Sequence, residues 1–241
     1  GLLLSSGVDS AAIALGLTIT GQSVTTLTMK MQHPQLDESI TAQKMARKLS
    51  LPNKIINIET IDPLDLLDQI ALHSDLPVID SSQVGTWLLF QKASGIGKVV
   101  FTGDGADEIF AGYPTHLANG LLTGISGVFL KSVSSVVPKC ISGIPYGEGP
   151  PGLRHKIVRL LRYAKYGLPQ AAFRWRTLID PSLFSELISN SLENPWPQFL
   201  PSEDKYSHLL APDRAMALEV EHLLPQGELT RLDRMSMGHG L

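Results

Sequence analysis

Through the first hundred positions, short apolar runs alternate with apolar residues at helical spacing. Gly1–Leu4 is wholly apolar, as in a strand buried on both faces. Asp9–Leu17 then reads as a helix carrying Ala11, Ala12, Ile13 and Leu15. Val24–Met31 mixes β-branched and apolar residues and predicts a second strand. Glu38–Leu49 sets Ile40, Met45 and Leu49 on one helical stripe. Lys54–Ile58 predicts a third strand, Pro63–His73 and Val84–Ala93 two more helices, and Gly97–Thr102 a fourth buried strand. This alternation predicts an α/β fold: parallel strands joined by right-handed crossovers, with helices on both faces. Beyond Tyr113 no strand is predicted. Ile141–Gly152 reads as a Gly/Pro-rich loop, Arg154–Tyr166 as a solvated basic helix face, and Pro181–Ser189, Ser207–Leu224 and Glu228–Met237 as helices.

Composition narrows the picture. Of 241 residues 43% are hydrophobic and 18% charged, which excludes a disordered chain. The net charge of −3 gives no electrostatic reason to expect a nucleic-acid partner. One cysteine, Cys140, excludes an internal disulfide, so a reducing cytoplasm is expected. Leu117–Val137 is the most membrane-like stretch. Asn119, Gly120, Gly124, Gly127 and Lys131 interrupt it, so a buried helix or helix pair is expected and not a membrane span. The chain opens mid-strand without a Met, as a piece of a longer polypeptide would.

Ligands in such sheets sit at the carboxyl ends of the strands. Two loops lie there. Ser5-Ser6-Gly7-Val8-Asp9-Ser10 offers small residues, hydroxyls and a helix N-terminus to an anion, and Asp9 makes sense beside phosphate when Mg²⁺ bridges them. A Ser/Asp helix cap accounts for the same spacing. The second loop places Asp104, Asp107 and Glu108 among Gly103 and Gly105. An acidic first helical turn accounts for Asp107 and Glu108 but not for Asp104, so a divalent metal or proton transfer is expected. His73, His116, His155 and His239 have no metal-site spacing and read as structural or exposed.

These loops carry a resemblance. Leu4-Ser5-Ser6-Gly7-Val8-Asp9-Ser10 is similar to the pyrophosphate loop of the ATP pyrophosphatases, with Ser6 where Gly is usual. Thr102 to Tyr113 closely resembles the Gly-(Asp/Glu)-Gly-x-Asp-Glu-x-Phe-x-Gly-Tyr signature of the asparagine synthetase family. Leu36-Asp37-Glu38-Ser39 and Leu229–Met237, with Asp233-Arg234-Met235-Ser236-Met237, agree with two further family segments. The resemblance implies an adenine nucleotide alpha-hydrolase-like sheet over 1–113 and a mostly helical part over 114–241. It also implies an N-terminal glutaminase domain or glutaminase partner that this chain lacks, and a catalytic lysine beyond Leu241. Turnover by this chain alone is therefore expected to be incomplete.

The implied chemistry is amide formation, in which ATP activates a carboxylate as an acyl-adenylate and ammonia displaces AMP. By resemblance Asp9 and Asp107 bind Mg²⁺, while Leu4, Ser5, Ser6, Gly7, Val8, Asp9, Ser10, Met29, Thr102 and Gly103 surround ATP. Asp104 faces the adenylate and accepts the ammonia proton. The segment with Asp80 and Ser81 lies on the substrate side, and Arg231 or Arg234 meets a substrate carboxylate or pairs with Asp233 or Glu228. Aspartate and ammonia are the implied substrates, and a homodimer stays open. The alternatives are a relative that amidates or cyclises another carboxylate, as lactam and macrolactam synthetases do, and a catalytically silent nucleotide-binding module.

Overall fold

In the computed structural model, residues 1–57, 64–74, 82–122, 124–134, 156–157, 160–161, 163–164, 166, 168, 170–175 and 205–241 are described. Cys140, the 141–152 loop, the 181–189 helix, and Arg154, His155, Arg159, Arg162 and Lys165 of the basic 154–166 stretch lie outside them. Two compact units result: Gly1–Ala106 with Leu224–Leu241, and Asp107–Leu223.

The first unit is built on parallel strands β1 (Leu2–Leu3), β2 (Thr26–Lys30) and β3 (Asn53–Asn57), in that spatial order. Leu2 stands opposite Thr26, and Thr26 opposite Asn53. Helices α1 (Val8–Ile19), α2 (Ser39–Lys48), α3 (Leu64–Ser74) and α4 (Ser82–Ala93) form the crossovers. Side chains along β1 alternate between faces, as the two-residue period of a strand requires. Leu2 and Leu4 pack with Ala14, Val24, Ala42 and Ala46 under α1 and α2. Leu3 faces the other way, towards a core of Leu66, Ile70, Trp87, Leu88, Phe90 and Met235. Each large apolar side chain buried this way contributes about 1.5–3 kcal/mol.

The fourth strand expected over Gly97–Thr102 is reduced to a bridge between Leu2 and Phe101, parallel like the rest. The cause is the brevity of β1. Its edge offers only the Gly1 N–H to Val99 O (2.7 Å), Phe101 N–H to Gly1 O (2.9 Å) and Leu3 N–H to Phe101 O (3.0 Å).

In the second unit, α5 (Ala106–Phe110, begun on the last residue of the first unit), α6 (Pro114–Leu121), α7 (Gly124–Ser134), α8 (Gln170–Trp175) and α9 (Ala211–Leu218) are helical. Leu122, Tyr163, Ala164 and Ala171 form its apolar core. The apolar stretch from Leu117 is a helix pair, but it is not buried as expected: Leu117, Leu121, Val128 and Phe129 are exposed. The buried face of α6 belongs to His116 and Asn119, which turns Leu117 and Leu121 outward. Among the described residues no helix is long and apolar enough to cross a membrane.

The helix expected over Ser207–Leu224 starts at Ala211, with Pro212 in its first turn, and stops at Leu218. A π-helical segment, Glu219–Leu229, follows. Pro225 lies within it and lacks the N–H that an α-helical ladder needs. The last helix, α10 (Thr230–Met237), returns to the first unit and packs on α3 and α4.

Candidate active site

The Ser5–Ser10 loop turns from β1 directly into α1. Gly7 is the N-cap residue in an extended conformation (φ −70°, ψ 151°), and no side chain caps the helix. The loop is held by its own hydroxyls. Ser10 Oγ, buried, accepts the Ser5 N–H at 3.2 Å and lies 3.0 Å from Ser5 Oγ, which accepts the Gly7 N–H at 3.0 Å. Ser6 carries no strain in place of glycine, because the described non-glycine residues with positive φ are Ser50 and Ala111. The Ser/Asp cap that would account for the spacing is not formed at α1.

Leu4, Met29, Thr102 and Gly103 lie in this same unit. Leu4 is a core residue whose N–H donates to Leu27 O at 2.8 Å. Met29 is half-buried and runs over Gly85, where an added methyl would come within 2.7 Å of its Cε. Thr102 lines a cavity of about 340 Å³ with Phe90, Val100, Leu232, Asp233 and Leu241. Gly103 brings the two strand-end loops together: a Cβ there would sit 3.1 Å from Ser10 N and 3.4 Å from Asp9 Cβ. Gly105 turns the acidic loop with φ +89°, a conformation that favours glycine.

Asp104 is exposed and paired. Arg231 Nη2 lies 3.3 Å from its Oδ1 and also bonds Glu228, while Arg231 Nη1 bonds Ser82 Oγ. Arg234 is exposed, 4.0 Å from Asp233. Asp80 and Ser81 lie outside the described residues.

Asp107 and Glu108 belong to the second unit. Asp107 is half-buried, and its carboxylate lies over Gly112 so closely that a methyl on Gly112 would fall 1.7 Å from Oδ1. Glu108 is fully buried and accepts from Tyr113 Oη at 2.9 Å. Among the described residues no group of three His, Cys, Asp or Glu side chains could hold a metal by itself.

Arg231 pairs with Glu228, one of the two neighbouring acids expected, and also with Ser82. Two further pairings lie outside the motifs. Glu38 Oε2 accepts the Ser6 N–H at 3.0 Å, placing a carboxylate on the anion loop. His116 Nε2 and Glu219 Oε2 form a buried pair at 2.8 Å, and the sequence signal for it is that His116 and Asn119 sit three apart on a helix whose apolar residues occupy its other faces.

Residues 1–241 match the family described as Asparagine synthase. Asparagine synthetase [glutamine-hydrolyzing] 1 of Bacillus subtilis is 29% identical over 115 residues, covering 47% of this chain and 18% of that protein. 7-cyano-7-deazaguanine synthase of Methanoregula boonei is 35% identical over 76 residues, 32% of this chain and 35% of that one. Amidase chyE of Penicillium rubens is 31% identical over 84 residues, 34% and 12% of the respective chains. The matched stretch thus spans less than a fifth of the Bacillus subtilis relative. Family match over the full 241 residues, parallel α/β architecture and the two strand-end loops agree: this chain belongs to the asparagine synthase family, a family of ligase-type enzymes.

Proposed function

We propose that the chain activates the side-chain carboxylate of aspartate with ATP and passes it to ammonia, giving asparagine, AMP and pyrophosphate. The observation that carries this reading is the contact between Gly103 and the Ser10 backbone, which sets the acidic loop against the anion loop at one sheet edge. In the first step the aspartate carboxylate attacks the α-phosphorus and the bond to pyrophosphate breaks. The α1 amides and the hydroxyls of Ser5 and Ser6 orient the departing pyrophosphate, and Ser10, whose buried hydroxyl bonds Ser5 and Gly7, shapes the loop around it. Mg²⁺, with Asp9 and Asp107 as the proposed ligands, supplies neutralising charge when bound. Leu4, Met29, Thr102 and Gly103 enclose the nucleotide in this reading.

In the second step ammonia adds to the acyl carbon, the bond to AMP breaks, and Asp104 takes the proton. Asp80, Ser81 and Arg234 are the proposed substrate-side residues. Ammonia from a glutaminase domain or partner is part of the proposal, as is a cytoplasmic setting. The division into a nucleotide-binding part over 1–113 and a helical part over 114–241 belongs to the same proposal. The matches to an amidase and to 7-cyano-7-deazaguanine synthase favour a second reading, with another carboxylate adenylated in the same way.

Pyrophosphate–ATP exchange dependent on aspartate is the test, run on the full polypeptide. Exchange with aspartate, lost in Asp9→Asn and Asp107→Asn, is the expected result. Exchange with a different carboxylate only would support the second reading, and no exchange with any would refute both.

A further inference from the structure

Arg231 was expected either to receive a substrate carboxylate or to pair with a neighbouring acid. Its surroundings decide between these. The Arg231 side chain is 13% exposed, and its guanidinium meets acceptors from three separate elements of the first unit. Nη2 reaches Asp104 on the loop after the last pairing residue and Glu228 in the π-helical segment, and Nη1 reaches Ser82 at the start of α4. A bidentate clamp on a substrate carboxylate uses two parallel N–H groups of the guanidinium fork. Here both terminal nitrogens already serve the chain's own acceptors.

What the arrangement does supply is orientation. Asp104 sits on a short loop turned by two glycines, whose backbone resists little. Arg231 is a planar, permanently charged group, and its own direction is fixed by Glu228 and Ser82. We propose that Arg231 is a positioning residue that aims Asp104 at the incoming amine, with Glu228 bracing the guanidinium, and that it is not a ligand of the substrate carboxylate. This rests on the reading that Asp104 accepts the ammonia proton.

The two half-reactions separate the roles. In the full polypeptide with ammonium as nitrogen donor, Arg231→Gln should leave the aspartate KM and the aspartate-dependent pyrophosphate–ATP exchange within about threefold of wild type. It should lower kcat for asparagine formation by about a hundredfold, the lower end of what a positioned base contributes. Arg231→Lys keeps the charge without the fork and should recover about tenfold of that loss. Glu228→Gln should fall between wild type and Arg231→Gln in kcat, again with KM unmoved. An aspartate KM raised tenfold or more together with lost exchange would show that Arg231 binds substrate and overturn the proposal. An unchanged kcat in Arg231→Gln would overturn it too. If Arg231→Gln fails to fold, Arg231→Lys and Glu228→Gln make the same comparison. Wild-type enzyme without exchange, or Asp104→Asn with full asparagine formation, would instead sink the underlying reading of the site.

Discussion

Gly112→Ala should dislodge the Asp107 carboxylate without touching its charge. The added methyl would lie 1.7 Å from Asp107 Oδ1, 2.8 Å from its Cγ and 3.2 Å from its Cα. Restoring ordinary van der Waals separation moves the oxygen by about 1.5 Å. The backbone has little room to yield. Gly112 N–H donates to Asp107 O at 3.0 Å, and Ala111 already occupies a left-handed turn at φ +59°. The side chain must therefore change rotamer, which takes the carboxylate off its present heading altogether. Overpacking of this kind costs about 1–3 kcal/mol of stability. With Asp107 as a Mg²⁺ ligand, binding of Mg²⁺-ATP should weaken by about tenfold or more, since about 1.4 kcal/mol is one decade. Calorimetric titration measures the affinity, and the same titration in an Asp107→Asn background isolates the coupling. In that background Gly112→Ala should have almost no further effect on binding. Wild-type affinity and unfolding temperature in Gly112→Ala would refute the argument. A full tenfold loss that persists without the Asp107 carboxylate would refute the metal assignment.

Two further outcomes follow from contacts outside the motifs. Glu38→Gln removes a charge from the Ser6 N–H, so phosphate no longer competes with a carboxylate; the ATP dissociation constant should fall roughly two- to fivefold, as for an exposed charged contact, and a weaker complex would count against the anion loop. His239 packs on Trp87 at 4.1 Å, and burial, aided by the nearby His73, lowers its pKa. The folded state then binds this proton less readily than the unfolded one. Its contribution is complete above the ordinary histidine range of about 6.5 and declines as pH falls below it. Unfolding temperature measured from pH 8 to pH 5 should slope less in His239→Gln, and identical slopes would contradict this.

The α/β unit was legible because its signal is local. Leu2, Leu3 and Leu4 in succession can only be a strand covered on both faces, and both faces are covered. The ends of the helices from Val8 to Ala93 lie within a few residues of those expected. Gly97–Thr102 misled because its composition is that of a strand while the length of its ladder is set by a partner two residues long. The outward Leu117 likewise depends on a tertiary partner, Glu219 on His116. At the site, glycines and acids at strand ends announced their loops. Glu228, three positions from Arg231, was within reach of the sequence, whereas Glu38 on Ser6 is an ordinary surface acid until the fold brings it round.

The two-residue strand β1 also sets an order of assembly. Leu2 must meet Thr26 on one side and Phe101 on the other, and the second closure spans a chain segment about four times longer. Two doublings of loop length add about 1.2 kcal/mol of closure entropy. The β1–β2–β3 core is therefore expected to form before the Val99–Phe101 edge docks. That edge is held to β1 by three backbone hydrogen bonds, so it is expected to open more readily than the β2–β3 ladder. Gly103 follows immediately and leans on Ser10, so each opening would slacken the anion loop as well. Under the proposed function, nucleotide-binding competence should appear late in refolding, and added ATP should slow amide exchange at Phe101 more than at Leu27.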